Sequence, residues 1–243
     1  FESMKMAAQD LEGTYYADRR PNPVTVHSIG HTHIDVAWKW PLRQTRQKAV
    51  RSFETVLNLM DRYPEYRFMS SQPQLYEFVK EDAPGVLARI RERIKEGRWE
   101  AEGAMWLEPD CNISSGESLI RHIIYGRRFF EQELGAEKNE VLWLPDVFGY
   151  SAALPQILQK SGIPYFMTTK IGWNEFNRFP HDTFLWKGID GTEVLTHLIS
   201  TRNYQKPGDL KMVGNHSTTY NGLQNASQLM GTWQRYQDKD VST

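Results

Sequence analysis

Apolar residues recur at helical spacing between residues 45 and 62, where Val50, Phe53, Val56, Leu57 and Met60 share one face. Pro64 ends that pattern. Short runs of β-branched and aromatic residues at 24–29, 67–70, 98–105, 140–144 and 165–169 read as strands. Helical patterns fall between them. One covers 74–80, one opens at Pro84 and closes at Gly97, and one starts at Ser114 or Ser115 and stops at Leu134-Gly135. Another covers 154–160 and ends at Ser161-Gly162. A capping box is complete if Ser114 is the cap, because Glu117 lies three residues on, and incomplete if Ser115 is.

Later in the chain, runs at 184–187 and 193–199 flank Gly188-Ile189-Asp190-Gly191, which predicts a hairpin. Beyond Pro207 the sequence is rich in Asn, Ser, Thr and Gly, and a final helix is predicted near 227–238. Residues 1–23 read as a lead-in segment or linker, a short amphipathic helix followed by the turn-rich DRRPNP, with the main domain at 24–243. Strands and helices alternate with short connections and no internal repeat. The expected fold class is therefore α/β, with a mostly parallel sheet that is open or barrel-like.

Composition narrows the function classes. The 243 residues carry 29 Lys+Arg against 30 Asp+Glu, so no charge excess argues for nucleic acid or an anionic membrane. No apolar stretch approaches membrane-spanning length. A single cysteine, Cys111, leaves neither a disulfide framework nor a thiolate-rich zinc site. A chain that starts at Phe1 and ends in polar, helix-like sequence is expected to be a piece of a longer protein.

In such folds functional side chains gather at the carboxyl ends of strands, and three of those ends carry unusual chemistry. The first is His31-Thr32-His33-Ile34-Asp35. In an extended segment its polar residues point to one side, and imidazole and carboxylate are suitable ligands for a divalent metal. The same run is also compatible with histidines that only satisfy backbone groups. The second is Trp106-Leu107-Glu108-Pro109-Asp110, whose carboxylates are either site groups or caps for the helix that follows. The third is Asp146, which follows the apolar run Val141-Leu142-Trp143-Leu144 and is a candidate ligand, nucleophile or turn cap. Trp38 and Trp106 stand beside these groups as possible platforms for the apolar face of a sugar. No phosphate-binding glycine loop is present.

Four segments together resemble a known family: GHTHIDVAW at 30–38, SGESLIRHIIYGRRFF at 115–130, WLPDVFGYSAALPQIL at 143–158 and FLWKGIDGTEVLTH at 184–197. With TTKIGWNEFNRFP at 168–180, they are similar to the catalytic N-terminal domain of the glycoside hydrolase family 38 α-mannosidases, in order over roughly residues 24–240. The likeness is greater to the cytosolic, vacuolar and bacterial branch. The resemblance implies a seven-stranded β/α barrel-like catalytic domain, here incomplete at its C-terminal side. It implies a retaining, exo-acting, zinc-dependent hydrolase of terminal α-mannosides, with another divalent metal an alternative to Zn2+. Residue by residue, it places metal ligands at His33, Asp35 and Asp146, with Asp146 also the nucleophile. It sets Trp38 against the sugar and His31 behind the metal pair; Trp106 and Asp110 are further substrate-binding candidates.

Two parts of the family's machinery have no counterpart in the sequence. None of His122, His181, His197 or His216 sits in the motif of the fourth ligand, and the acid/base aspartate is expected after the stretch at 227–240. The fragment alone is therefore expected to be inactive. The other readings are a metal-dependent carbohydrate deacetylase-like hydrolase and a noncatalytic mannose-binding module. The expected partners are mannose-containing oligosaccharides, with a homo-oligomer possible and no nucleic acid or membrane. The branch resembled and the lack of a signal-peptide pattern point to the cytoplasm.

Overall fold

A computed structural model describes residues 2–10, 13, 24–136, 138–173, 176–201 and 218–240. The turn-rich stretch 18–23 and His216 lie outside them. Helix α1 (Glu2–Asp10) precedes the main body. There the order is β1 (Gly30–His31), α2 (Leu42–Arg62), β2 (Phe68–Ser70), α3 (Pro73–Asp82), α4 (Pro84–Lys95), β3 (Trp99–Ala101) and α5 (Gly116–Leu134). It continues with β4 (Val141–Leu144), α6 (Leu154–Lys160), β5 (Tyr165–Thr168), the hairpin β6 (Thr183–Lys187) and β7 (Glu193–Leu198), and α7 (Ala226–Arg235).

The strands form two sheets, β1-β2-β3 and β4-β5-β7-β6, joined by a parallel bridge between Gly103 and Leu142. Every pairing is parallel except that of β6 with β7. The mixed α/β architecture is thus as expected, but the barrel is not closed. β1 pairs on one side only, with β2, and β6 only with β7; among the described residues no strand links these two edges.

Two apolar clusters fill the layers. Phe53, Leu57 and Met60 of α2 meet Tyr76, Ile90 and Trp99 beneath the first sheet. Leu142, Leu144 and Phe166 meet Leu154 and Leu158 of α6 beneath the second. Helix α5 serves both, giving Leu119 and Ile123 to the second cluster and Phe129, Phe130 and Leu134 to the first. Its amino end is capped by Ser115, whose hydroxyl accepts the Ser118 N–H at 3.2 Å. The box with Glu117 is therefore not the one used. Its other end closes on Gly135 at φ 69°, a left-handed position suited to glycine.

Three sequence expectations are corrected. The run at 24–29 is mostly exposed and belongs to no strand ladder, which begins at Gly30, where β2 first comes alongside. The strand expected over 98–105 stops at Ala101, because Gly103 (φ 125°) and Ala104 (φ 61°) turn the chain. Helix α2 begins at Leu42 after Pro41 rather than at 45.

Candidate metal centre and active site

The loop after β1 is built to present His33 and Asp35 together. Ile34 between them is buried in the first core cluster, and its carbonyl accepts the Gln72 side-chain amide at 3.2 Å. The Asp35 carbonyl accepts the buried Thr45 hydroxyl at 2.9 Å, which ties the loop to α2. With the backbone held on both sides, alternation turns His33 and Asp35 toward the carboxyl ends of the strands. Asp146 reaches the same place from the end of β4, two residues beyond Leu144.

His33 Nε2 lies 3.2 Å from Asp35 Oδ1 and 3.4 Å from Asp146 Oδ2. One ligand atom from each of the three residues can be chosen so that all lie within 4.8 Å of one another. They line a cavity of about 220 Å3 that Glu108, Asp110 and Phe148 also border. The carboxylates of Asp35, Glu108 and Asp146 thus all stand within 3.4 Å of one imidazole, an arrangement that calls for a cation. Burial opposes charge on His33, but the Asp146 and Glu108 carboxylates outweigh it and lift its pKa to about 10. The donor set fits a divalent ion that takes imidazole and carboxylate ligands, and such an ion would displace the proton from the ligating nitrogen.

Asp146 is held from two sides. Burial pushes its pKa up, but contacts with His33, Lys170 and Tyr220 hold it well below the ordinary carboxylate range. Lys170 Nζ stands 2.8 Å from Asp146 Oδ1, and the Tyr220 hydroxyl donates to the same oxygen at 2.9 Å. The Lys170 side chain is only 5% exposed, with its ammonium 3.3 Å from the Trp173 ring centroid. Sequence reasoning named neither residue.

The other expected residues scatter. His31 Nδ1 donates to the Met69 carbonyl at 3.1 Å and its ring meets Trp143 edge-on at 5.0 Å. Burial lowers its pKa to about 4, so it is neutral. Trp38 is 66% exposed and edge-on to Trp40, and it does not line the cavity, which reaches only as far as Ala37 on that loop. Asp110 borders the cavity, while its Oδ1 accepts the backbone N–H groups of Asn112 and Ile113 at 2.9 and 3.1 Å, the geometry of a turn cap. Trp106 packs against Phe129 and donates to Gln74 Oε1 at 3.1 Å. His181 pairs with Asp238, and His197 with the Thr183 hydroxyl.

The sheet edge thus carries a His/Asp/Asp cluster that could hold a divalent metal, beside a third, buried carboxylate, that of Glu108. The model of the glycosyl hydrolases family 38 N-terminal domain matches residues 23–243, and the chain belongs to that family. It is 43% identical over 205 residues to alpha-mannosidase G of Dictyostelium discoideum, covering 84% of this chain and 19% of that protein. It is 46% identical over 189 residues to alpha-mannosidase 2C1 of Homo sapiens, covering 78% of this chain and 18% of that one. Among solved structures, an alpha-mannosidase from Enterococcus faecalis V583 shares the fold with a TM-score of 0.65 at 19% identity, covering 85% of this chain and 22% of that chain. The chain thus spans about a fifth of the length of these relatives.

Proposed function

We propose that this chain is the N-terminal part of the catalytic domain of a retaining, exo-acting α-mannosidase that hydrolyses terminal α-D-mannosides of oligosaccharides. The observation that carries the proposal is the convergence of His33, Asp35 and Asp146 within 4.8 Å in a chain 43–46% identical to α-mannosidases. In this reading residues 24–243 are the partial catalytic domain and 1–23 a lead-in segment. Further strands complete a barrel-like sheet, and a fourth ligand and the acid/base come from outside the chain. The fragment alone is inactive, and the protein resides in the cytoplasm.

His33, Asp35 and Asp146 would hold Zn2+, which supplies Lewis-acid polarisation of sugar hydroxyls. Asp146 attacks the anomeric carbon to form a covalent glycosyl-enzyme as the leaving oxygen takes a proton from the acid/base. It suits that role because Lys170 and Tyr220 keep its carboxylate ionised and fixed. Retention requires the acid/base carboxyl about 5–5.5 Å from Asp146. Trp38 covers the apolar face of the sugar, and Asp110 and Trp106 contribute at the rim.

The test is release of mannose from an aryl α-mannoside by the full-length protein, with the product anomer followed by NMR. Metal-dependent release with α-mannose first supports the mechanism. β-Mannose first removes Asp146 as nucleophile. Acetate released from acetylated saccharides without mannose would make the protein a deacetylase, and mannose bound without turnover would make it a binding module.

A further inference from the structure

Glu108 stands on the loop after β3 with its side chain only 8% exposed. A carboxylate so deeply placed loses several kcal/mol of solvation unless both oxygens find partners. Oε2 accepts the backbone N–H of Asp146 at 3.1 Å. Oε1 lies 3.1 Å from His33 Nδ1, an ion-pair separation, and neither of those two buried atoms has a hydrogen-bond partner of good geometry. At the opposite edge of the same ring, Nε2 faces Asp35 and Asp146. One side chain therefore touches two of the three members of the cluster, each at a point other than its ligand atom.

We propose that Glu108 is a positioning residue for the metal cluster. By drawing the His33 proton to Nδ1, beside Oε1, it fixes the tautomer that leaves the Nε2 lone pair facing Asp35 and Asp146. Through its other oxygen it anchors the chain at Asp146. This rests on the reading of His33, Asp35 and Asp146 as metal ligands. Both partners of Glu108 are N–H donors, so position 108 must offer two acceptors. Glutamine offers one acceptor and one NH2 group, and whichever way its amide turns, one N–H meets another. Aspartate keeps two acceptors on a stem one methylene shorter, so it serves one partner better than both. An imidazole without this contact is free to carry its proton on Nε2, which blocks the ligand position. Partners that orient a metal-binding histidine typically account for about 10–100-fold in affinity.

The experiment measures Zn2+ affinity by chelator competition on the metal-free full-length protein, comparing wild type with Glu108→Gln, Glu108→Asp and His33→Ala. The visible spectrum of the Co2+-loaded protein and the melting temperature of the metal-free form are read alongside. The expected result is affinity about 10–100-fold weaker in Glu108→Gln, with a changed Co2+ spectrum and a smaller loss in Glu108→Asp. Unchanged affinity and spectrum in Glu108→Gln, when His33→Ala abolishes binding, overturn the role of Glu108 alone. A fall in melting temperature with unchanged affinity reduces Glu108 to a structural residue and also overturns it. If Glu108→Gln does not fold, Glu108→Asp decides: weakened Zn2+ binding supports the inference and wild-type binding overturns it. Wild-type protein that binds no Zn2+ overturns both the cluster reading and this one.

Discussion

Helix α5 reaches the site through a glycine. A Cβ placed on Gly126 would meet the Ala104 carbonyl oxygen at 2.1 Å, the Met105 carbonyl carbon at 2.7 Å and the Trp106 nitrogen at 2.8 Å. All three are backbone atoms and cannot rotate away. One turn earlier on the same helix, the His122 carbonyl accepts the Trp106 N–H at 3.0 Å. The helix thus lies directly on the backbone that leads to Glu108, and Gly126→Ala must push the two apart by about 1 Å.

The opposing terms can be compared. Alanine in a helix interior is favoured over glycine by about 1 kcal/mol. Forcing a methyl against fixed atoms costs about 1–3 kcal/mol, and the Trp106–His122 hydrogen bond is worth about 1 kcal/mol more, plus the penalty of leaving its groups buried. The net is a destabilisation of about 2 kcal/mol, which lowers the melting temperature of a domain this size by about 4–8 °C. Gly85 in α4 is the control, because a Cβ there meets nothing within 4 Å. Gly85→Ala is expected to be neutral or to gain up to about 1 kcal/mol. Thermal unfolding of the full-length protein and both variants reads the two signs. A Gly126→Ala protein that melts at or above wild type would refute the claim that the helix lies on that backbone.

Three further outcomes follow from the site and its surroundings. Asp146→Asn in the full-length enzyme is expected to bind an aryl α-mannoside while losing about a thousandfold or more in kcat; retained turnover would end its assignment as nucleophile. Trp38→Ala is expected to raise KM about three- to tenfold, and an unchanged KM would take Trp38 out of the sugar site. Glu102 concerns stability: burial lifts its pKa from 4.5 to about 7, although its Oε1 accepts the Gly103 and Val141 N–H groups. The folded state therefore holds this proton more tightly than the unfolded chain, and its contribution to stability falls as pH rises from about 4.5 through 7. Glu102→Gln keeps the acceptor and never ionises, so its melting temperature should gain on wild type across that window. A constant difference from pH 4 to 8 would show that Glu102 does not titrate there.

What the sequence disclosed depended on how local each cause is. Helix α6 is legible to the residue, because Leu154-Pro155 starts it and Ser161-Gly162 stops it within one short stretch. The run at 24–29 has β-forming residues but joins no strand ladder, and no property of those residues alone announces that. The site divides in the same way. His33 and Asp35 are two residues apart and visible as a motif, whereas Lys170 lies within the segment 168–180 with no chemical motif of its own and Tyr220 is an isolated tyrosine. Yet Lys170 was within reach of a longer argument. β4 and β5 pair in parallel with Leu144 opposite Thr168, and Asp146 and Lys170 each lie two residues past those partners. In a parallel pair, equal offsets from facing residues bring side chains to the same level at the same sheet edge. Once the strands at 141–144 and 165–168 are taken as neighbours, the register itself nominates Lys170 as the group beside Asp146, before any side chain is placed. Tyr220 reaches the same oxygen from 74 residues along the chain and follows from no pairing of strands, so only the three-dimensional structure discloses it.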